Sequence, residues 1–225
     1  RITRLTDQEG EPADVIGMLQ RAGLKVGSAL PAIPAAEADA LSELVGNLCR
    51  HEEFWLRRLR RAEPVELPFE RKTGATGHYW TETKLQGTFE KRAALLALLF
   101  ARLNRRQDFA LAYVPAAVTR QPAWFQRFFA EVVPLPVNIL PDAGFANVFG
   151  SLESALKASE EKVSYLSDLP ARESEIKAIR CEEYPIRLVH AANVDEQTAQ
   201  RFGRGAALTI VLADDAETIG LYADE

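Results

Sequence analysis

The stretch 89-FEKRAALLALLFARLNRRQDFALAYVPAAVTR-120 sets a helix beside a strand, and the rest of the chain is read outward from it. From Phe89 to Leu103 apolar residues cover most of a helical circumference, which predicts a largely buried helix. Within five residues the pattern changes. "DFALAYVP" is a short apolar run that leaves through Pro115, which predicts a strand from Phe109 to about Val114. A buried helix running straight into a buried strand is the repeating unit of an α/β fold.

Upstream, Leu41, Leu44, Val45 and Leu48 fall at i, i+3, i+4, i+7 and predict another helix. A break is expected near His51. The run "HEEFWLRRLRR" (His51–Arg61) then restarts a helix with Trp55, Leu56 and Leu59 inward and Arg57, Arg58, Arg60 and Arg61 outward. "VELPFERKTGATGHYW" and "TETKLQ" follow as loop and short strand. Downstream, "AWFQRFFAEVVPLPVNILPDA" joins a short aromatic helix to a strand over roughly Leu135–Leu140. A helix is predicted from Phe145 to Tyr165, with Phe149, Leu152, Leu156 and Val163 inward. "YPIRLVHAA", "AALTIVLAD" and "ETIGLYAD" predict three strands, the last two joined by a tight acidic turn at Asp214-Asp215. The fold class is therefore α/β, a mixed sheet packed with long helices. Residues 1–34 are loosely organised and Pro-punctuated, a lead-in segment or linker ahead of a domain spanning 35–225.

With 225 residues, 47% of them hydrophobic and 26% charged, the chain has the composition of a folded globule with a substantial core. Its net charge of −5 argues against nucleic acid or an anionic membrane as a partner of the whole surface. No apolar run is long enough to span a bilayer, and the start lacks the apolar stretch of a secretory signal. The chain begins without Met and ends on "LYADE", straight out of a strand-like run, as a piece cut from something longer would. A cytoplasmic location is expected, with Cys49 and Cys181 as two reduced, buried thiols.

The arginine run raises the question of an anion-gripping arm. Between Arg50 and Lys72 there are seven basic and five acidic residues, and Glu52 and Glu53 precede Arg57 at helical spacings. That balance favours a solvated, partly paired face over a phosphate-tracking strip. Catalytic patterns are missing. The sequence has no GxSxG, no GxGxxG after a strand, no Walker lysine and no HExxH. Of the three histidines, His190 lies in an apolar run and reads as a satisfied core or edge residue, with a general base as the alternative. His78 sits in a loop beside Tyr79 and Trp80, where it could line a pocket, and His51 reads as exposed. No metal or cofactor site follows from these spacings.

Five stretches, in order, resemble the C-terminal lobe of nonribosomal peptide synthetase condensation domains, part of the chloramphenicol acetyltransferase-like superfamily. "HEEFWLRRLRRAEPVELPFE" resembles the family's helix leading to a Leu-Pro step. The stretch 89–120 resembles its next helix, polar turn and strand closing on an arginine, here Arg120. "PLPVNILP" resembles the Val-Asn-x-Leu strand, matched by Val137, Asn138, Leu140 and Pro141. "YLSDLP" resembles a helix-ending motif, and "AALTIVLADDAETIGLYAD" the final strand pair, matched by Tyr222 and Asp224. There are departures too. The family's first lobe ends in two adjacent histidines, followed four residues later by Asp and Gly, and this chain has no His-His pair. Residues 1–34 are too short to be a first lobe. Pro136 stands where the family has Phe, and Asp142 and Ala143 follow the Asn strand where an arginine is usual.

The resemblance implies a single chloramphenicol acetyltransferase-like lobe without the catalytic motif. As a function it implies a truncated, non-catalytic condensation-like domain in secondary metabolite biosynthesis, a docking or structural platform. Its partners would be adjacent adenylation and carrier domains or a trans-acting tailoring enzyme. Asn138, Val137, Arg120, Tyr222 and Asp224 are the tunnel or motif positions. Trp124, Phe125 and Phe128, with Arg57, Arg58 and Arg61, are the candidate partner face. Two alternatives stand beside this one. The chain could be half of an acyl or peptidyl transferase that needs a separate N-terminal lobe, or a small-molecule-binding α/β domain.

Overall fold

The computed structural model describes residues 35–67, 77–121, 128–140, 144–173, 176, 184–214 and 217–224. The chain divides into two compact units, 1–43 and 44–225. Of the first, only the opening of helix α1 (Ala35–Cys49) is described. In the second, α1 ends in a turn at Arg50–His51 and α2 (Glu52–Arg60) begins at once, so the expected break is present. Cys49, expected as buried, is exposed; Cys181 lies outside the described residues.

The centre is a six-stranded sheet with the elements β1 (His78–Lys84), α3 (Phe89–Asn104), β2 (Asp108–Val114), α4 (Ala116–Thr119), β3 (Val133–Asn138), α5 (Phe145–Lys162), α6 (Leu169–Arg172), β4 (Ile186–Ala191), α7 (Glu196–Gly203), β5 (Leu208–Ala213) and β6 (Thr218–Asp224). Strand order is β1-β6-β5-β4-β2-β3. The three inner strands β5, β4 and β2 run parallel, and β1, β6 and β3 pair antiparallel at the two sides. Parallel strands covered on both faces are buried along their length, as β4 is throughout and β2 is after Asp108, and the polar Arg187 and His190 on β4 are therefore hydrogen-bonded. Side-chain alternation shows the two covers. Arg187 on β4 reaches the carbonyls of Phe202 and Arg204 around the end of α7. His190, three residues on and so on the other face, meets α5 and α3.

The decisive helix α3 forms as expected. Thr88 caps its start, accepting from the Lys91 N–H at 3.4 Å, and Arg105 ends it in the left-handed region (φ 52°). Its burial is narrower than the sequence suggests. Phe89, Ala93, Ala94, Leu96, Ala97 and Phe100 are buried, but Leu95, Leu99 and Leu103 are exposed along one stripe. Small alanines bring the helix close to its neighbours on one arc, and the leucines lie beyond that arc. Helix α5 stops at Lys162 rather than Tyr165 because Val163 turns to positive φ (55°). Its inward row includes Val148, Leu152 and Leu156, while Phe149 and Val163 are only half-buried. Strand β3 begins two residues earlier than expected. It is an edge strand, which is where Pro134 and Pro136 can sit without removing a bond from the middle of the sheet. On the opposite side β1 pairs antiparallel with β6, Glu82 opposite Gly220. A Cβ there would lie 2.0 Å from the Trp80 ring, so only glycine lets the indole lie flat across the strand.

Candidate functional site

Helix α2 buries Trp55, Leu56 and Leu59 and carries Glu52 and Glu53 in its first turn with arginines in its last, as the helix dipole favours. Arg57 is exposed and paired with Glu53 at 3.5 Å, and Arg60 lies 3.7 Å from Glu173. Arg58 differs from the outward expectation. It turns over the Phe54 ring (4.3 Å) and donates to Ser159 Oγ at 2.6 Å and to the Ala155 carbonyl at 3.1 Å on α5. Burial lowers its pKa to about 10. The buried Ser159 hydroxyl and the carbonyl offered one turn back on α5 draw the guanidinium inward, so Arg58 ties α2 to α5.

Beside this tie lies a cavity of about 450 Å³. Phe54, Arg57, Arg58 and Arg61 line one side, and Asp108, Pro134, Pro136 and Asn138 the other. Asn138 ends β3 opposite Asp108 and is exposed; its neighbour Val137 is core. The fold thus brings the neighbouring arginines of α2 to an asparagine that lies far from them in sequence. Among the described residues Arg61 makes no ion pair, and Asp108 is the carboxylate that lines the cavity. Such a set can hold an oxyanion or a backbone carbonyl by hydrogen bonding.

The other expected positions do not converge on it. Arg120 follows α4, beyond the far end of β2 from Asn138, and is exposed. Tyr222 is buried on β6, stacked at 5.9 Å against His78, and Asp224 ends the same strand opposite His78. His78 starts β1 and sits 3.1 Å from Glu196. Phe128 is 39% exposed while its neighbour Phe129 is core; Trp124 and Phe125 lie outside the described residues.

A second cluster was not anticipated as a unit. At the carboxyl ends of β2 and β4, Tyr113 and His190 meet Glu160 from α5 and Asp214 from the turn after β5. His190 Nδ1 lies 2.8 Å from Glu160 Oε1, and Nε2 lies 3.0 Å from Asp214 Oδ1. The ring stacks on Phe89 at 3.8 Å. Glu160 Oε1 also accepts from the Tyr113 hydroxyl and from the Ala116 N–H (3.0 Å). Ionised carboxylates only accept, so an imidazole facing one on each nitrogen is stabilised in its protonated form, which donates from both. Burial opposes that charge, but Glu160 and Asp214 outweigh it and raise the histidine pKa. Burial likewise opposes the Glu160 charge, and the bonds from His190, Tyr113 and Ala116 overcome it, lowering the carboxyl pKa. Tyr113 is pushed well up by burial and by Glu160. With both nitrogens engaged, His190 is a satisfied buried residue and a clamp, not a free base. Arg92 braces the same turn from α3, donating to the Ala213 carbonyl and, at 3.2 Å, to that of Thr218. The available signal in the sequence was Tyr113 and His190 placed late in two largely apolar strands.

Among the described residues no group of three His, Cys, Asp or Glu could hold a metal ion, and no helix is long and apolar enough to cross a membrane. No protein-family model and no curated protein matches the chain. Solved structures do. The starter condensation domain of the rhizomide synthetase RzmA matches at 13% identity and a TM-score of 0.52, covering 93% of this chain and 53% of that one. Two crystal forms of the EpoB nonribosomal peptide synthetase cyclization-docking bidomain from Sorangium cellulosum match at 15% and 16% identity, with TM-scores of 0.54 and 0.56. Each covers 88% of this chain, and 48% and 49% of the bidomain respectively. The fold is that of one condensation-domain lobe. The chain spans about half the length of these condensation and cyclization structures, and at such identities the likeness concerns the fold alone.

Proposed function

We propose that the chain is a truncated, non-catalytic condensation-like lobe of a nonribosomal peptide synthetase that serves as a docking platform in the cytoplasm. Its partner would be an adjacent adenylation or carrier domain, or a tailoring enzyme acting on a carrier-bound amino acid. The observation that carries this reading is the α2 cavity. It gathers Arg57, Arg58 and Arg61 beside Asn138, the residue that resembles the family's tunnel-flanking asparagine, so that the cavity is rich in hydrogen-bond donors. The cavity's arginines suit the acidic surface or the phosphopantetheine phosphate of a carrier. The domain proposed to act in this way spans 35–225.

Calorimetric titration with the adenylation and carrier domains encoded beside the chain tests the reading. Saturable binding at micromolar strength or tighter, with a negative heat-capacity change, is expected. Absence of heat with every neighbour would remove it. The half-transferase reading makes a different prediction. Amide formation would appear once a separate first lobe bearing the His-His motif is supplied, whereas the platform reading expects none.

A further inference from the structure

Strands β2 and β4 lie side by side and parallel, with Ala112, Tyr113 and Val114 opposite Arg187, Leu188 and Val189. The chain leaves their carboxyl ends in opposite directions. From β2 it goes through α4 to β3 on one side, and from β4 it goes through α7 to β5 on the other. In open α/β sheets such divergence opens a crevice above the strand ends, and ligands settle there. A cavity of about 400 Å³ occupies that position here. Thr119 and Arg120 wall it from the β2 side, and Asn193, Asp195, Thr198 and Arg201 from the β4 side. Pockets of roughly 300–1,000 Å³ are the usual size for small ligands.

The charges within it are unbalanced. Arg120 is exposed and makes no ion pair among the described residues. Arg201 rests on the Phe202 ring at 4.5 Å and gives one long bond, 3.4 Å, to the Gln121 carbonyl. The lining carboxylate, Asp195, is turned to its own helix, accepting from the Thr198 N–H at 2.7 Å and the Thr198 hydroxyl at 2.9 Å. Two guanidinium forks therefore face a crevice in a chain of net charge −5. Guanidinium groups match the oxygens of a phosphate bidentately, and a pair of them balances a dianion. Arg201 also borders a neighbouring cavity of about 530 Å³ lined by Arg204 and Glu131, which leaves room for the body of a ligand beyond its head group.

We propose that this crevice binds a small, diffusible phosphate-bearing molecule, its phosphate held between Arg120 and Arg201. The site is separate from the docking cavity. Strand β2 has seven residues, so its ends are about 20 Å apart at about 3.4 Å per residue, with Asn138 beside the first and Arg120 beyond the last. The test is an NMR titration of the full chain, in buffer free of phosphate and at constant ionic strength, with inorganic phosphate, pyrophosphate and succinate. Phosphate and pyrophosphate are expected to saturate and to shift the amides of Asn193, Thr198 and Arg201. Arg120→Gln and Arg201→Gln should each weaken binding at least tenfold. Arg120→Lys, which keeps the charge but loses the fork, should weaken it less. Arg102→Gln, at an exposed arginine in the last turn of α3 that lines neither cavity, should leave it unchanged. Unsaturable shifts with both phosphates, tighter binding of succinate, or equal weakening by Arg102→Gln would each overturn the proposal.

Discussion

Removing the Glu160 carboxylate is the sharpest perturbation of this fold. Its Oε1 accepts from His190, Tyr113 and Ala116, the Tyr113 side chain is fully buried, and His190 is 8% exposed. Glu160→Ala removes the shared acceptor, strands the Ala116 N–H, and leaves His190 with Asp214, whose side chain is 62% exposed, and with the Tyr113 hydroxyl 3.3 Å from Nδ1. Breaking a fully buried pair by deleting one partner costs about 3–5 kcal/mol. The Glu160 side chain is 28% exposed, which places the expected loss near the lower end, about 3 kcal/mol. For a chain of this size each kcal/mol moves Tm by about 2–4 °C, so Tm should fall by about 6–12 °C. Glu160→Gln keeps an acceptor for Tyr113 and Ala116 and should cost less, about 1–2 kcal/mol. The pH dependence has a definite sign. The raised pKa of His190 gives stability that is complete below its ordinary value of 6.5 and is lost as pH rises through the raised one. The lowered pKa of Glu160 gives stability present above 4.5 and lost as pH falls through the lowered one. Thermal melts should therefore show this contribution at its largest between pH 4.5 and 6.5, and Glu160→Gln should flatten the alkaline decline. A Glu160→Ala protein that melts within 2 °C of the parent, with the same pH profile, would refute the reasoning.

The two arginines on α2 should separate cleanly. Arg58→Ala removes charged bonds to Ser159 and Ala155 and should cost about 1.5–3 kcal/mol in urea unfolding, whereas Arg57→Ala removes an exposed pair and should cost less than about 0.5 kcal/mol; equal losses would mean that Arg58 is not the tether. Gly220→Ala must displace the Trp80 ring and should destabilise by about 1–3 kcal/mol with a red-shifted tryptophan emission. A melt and emission spectrum matching the parent would show that the indole does not lie across β6. Asp214→Asn alters the exposed side of the histidine clamp and should cost under about 1 kcal/mol, well below Glu160→Ala.

Much of this architecture was legible because period and position agreed. Phe89 to Val114 declares its helix and strand through apolar patterning alone, and the break at His51 and the three late strands are found where alternation and turn residues put them. What the sequence hid was direction. Leu95, Leu99 and Leu103 belong to the same apolar run as Leu96 and Phe100, and only the placement of the sheet decides which arc is covered. Arg58 looks like its outward neighbours until Ser159 and Ala155, about a hundred positions away, offer it acceptors. The candidate sites followed the same rule. Arg57 and Arg61 were suspected from the arginine run and Asn138 from the resemblance, but their meeting in one cavity depends on α2 lying against β3. Arg120 and Asn138, expected as tunnel or motif positions, border cavities at opposite ends of β2. The His190 cluster unites four elements and could not be assembled from spacing.

The central claim, that the α2 cavity is a docking face, is tested most directly by hydrogen exchange of the full chain alone and with its neighbouring carrier and adenylation domains. The account predicts slowed exchange confined to α2 and the end of β3 around Asn138, lost when Arg57 and Arg61 are both replaced by Gln. Protection elsewhere on the lobe with α2 unchanged, or no protection at saturating partner, would contradict it.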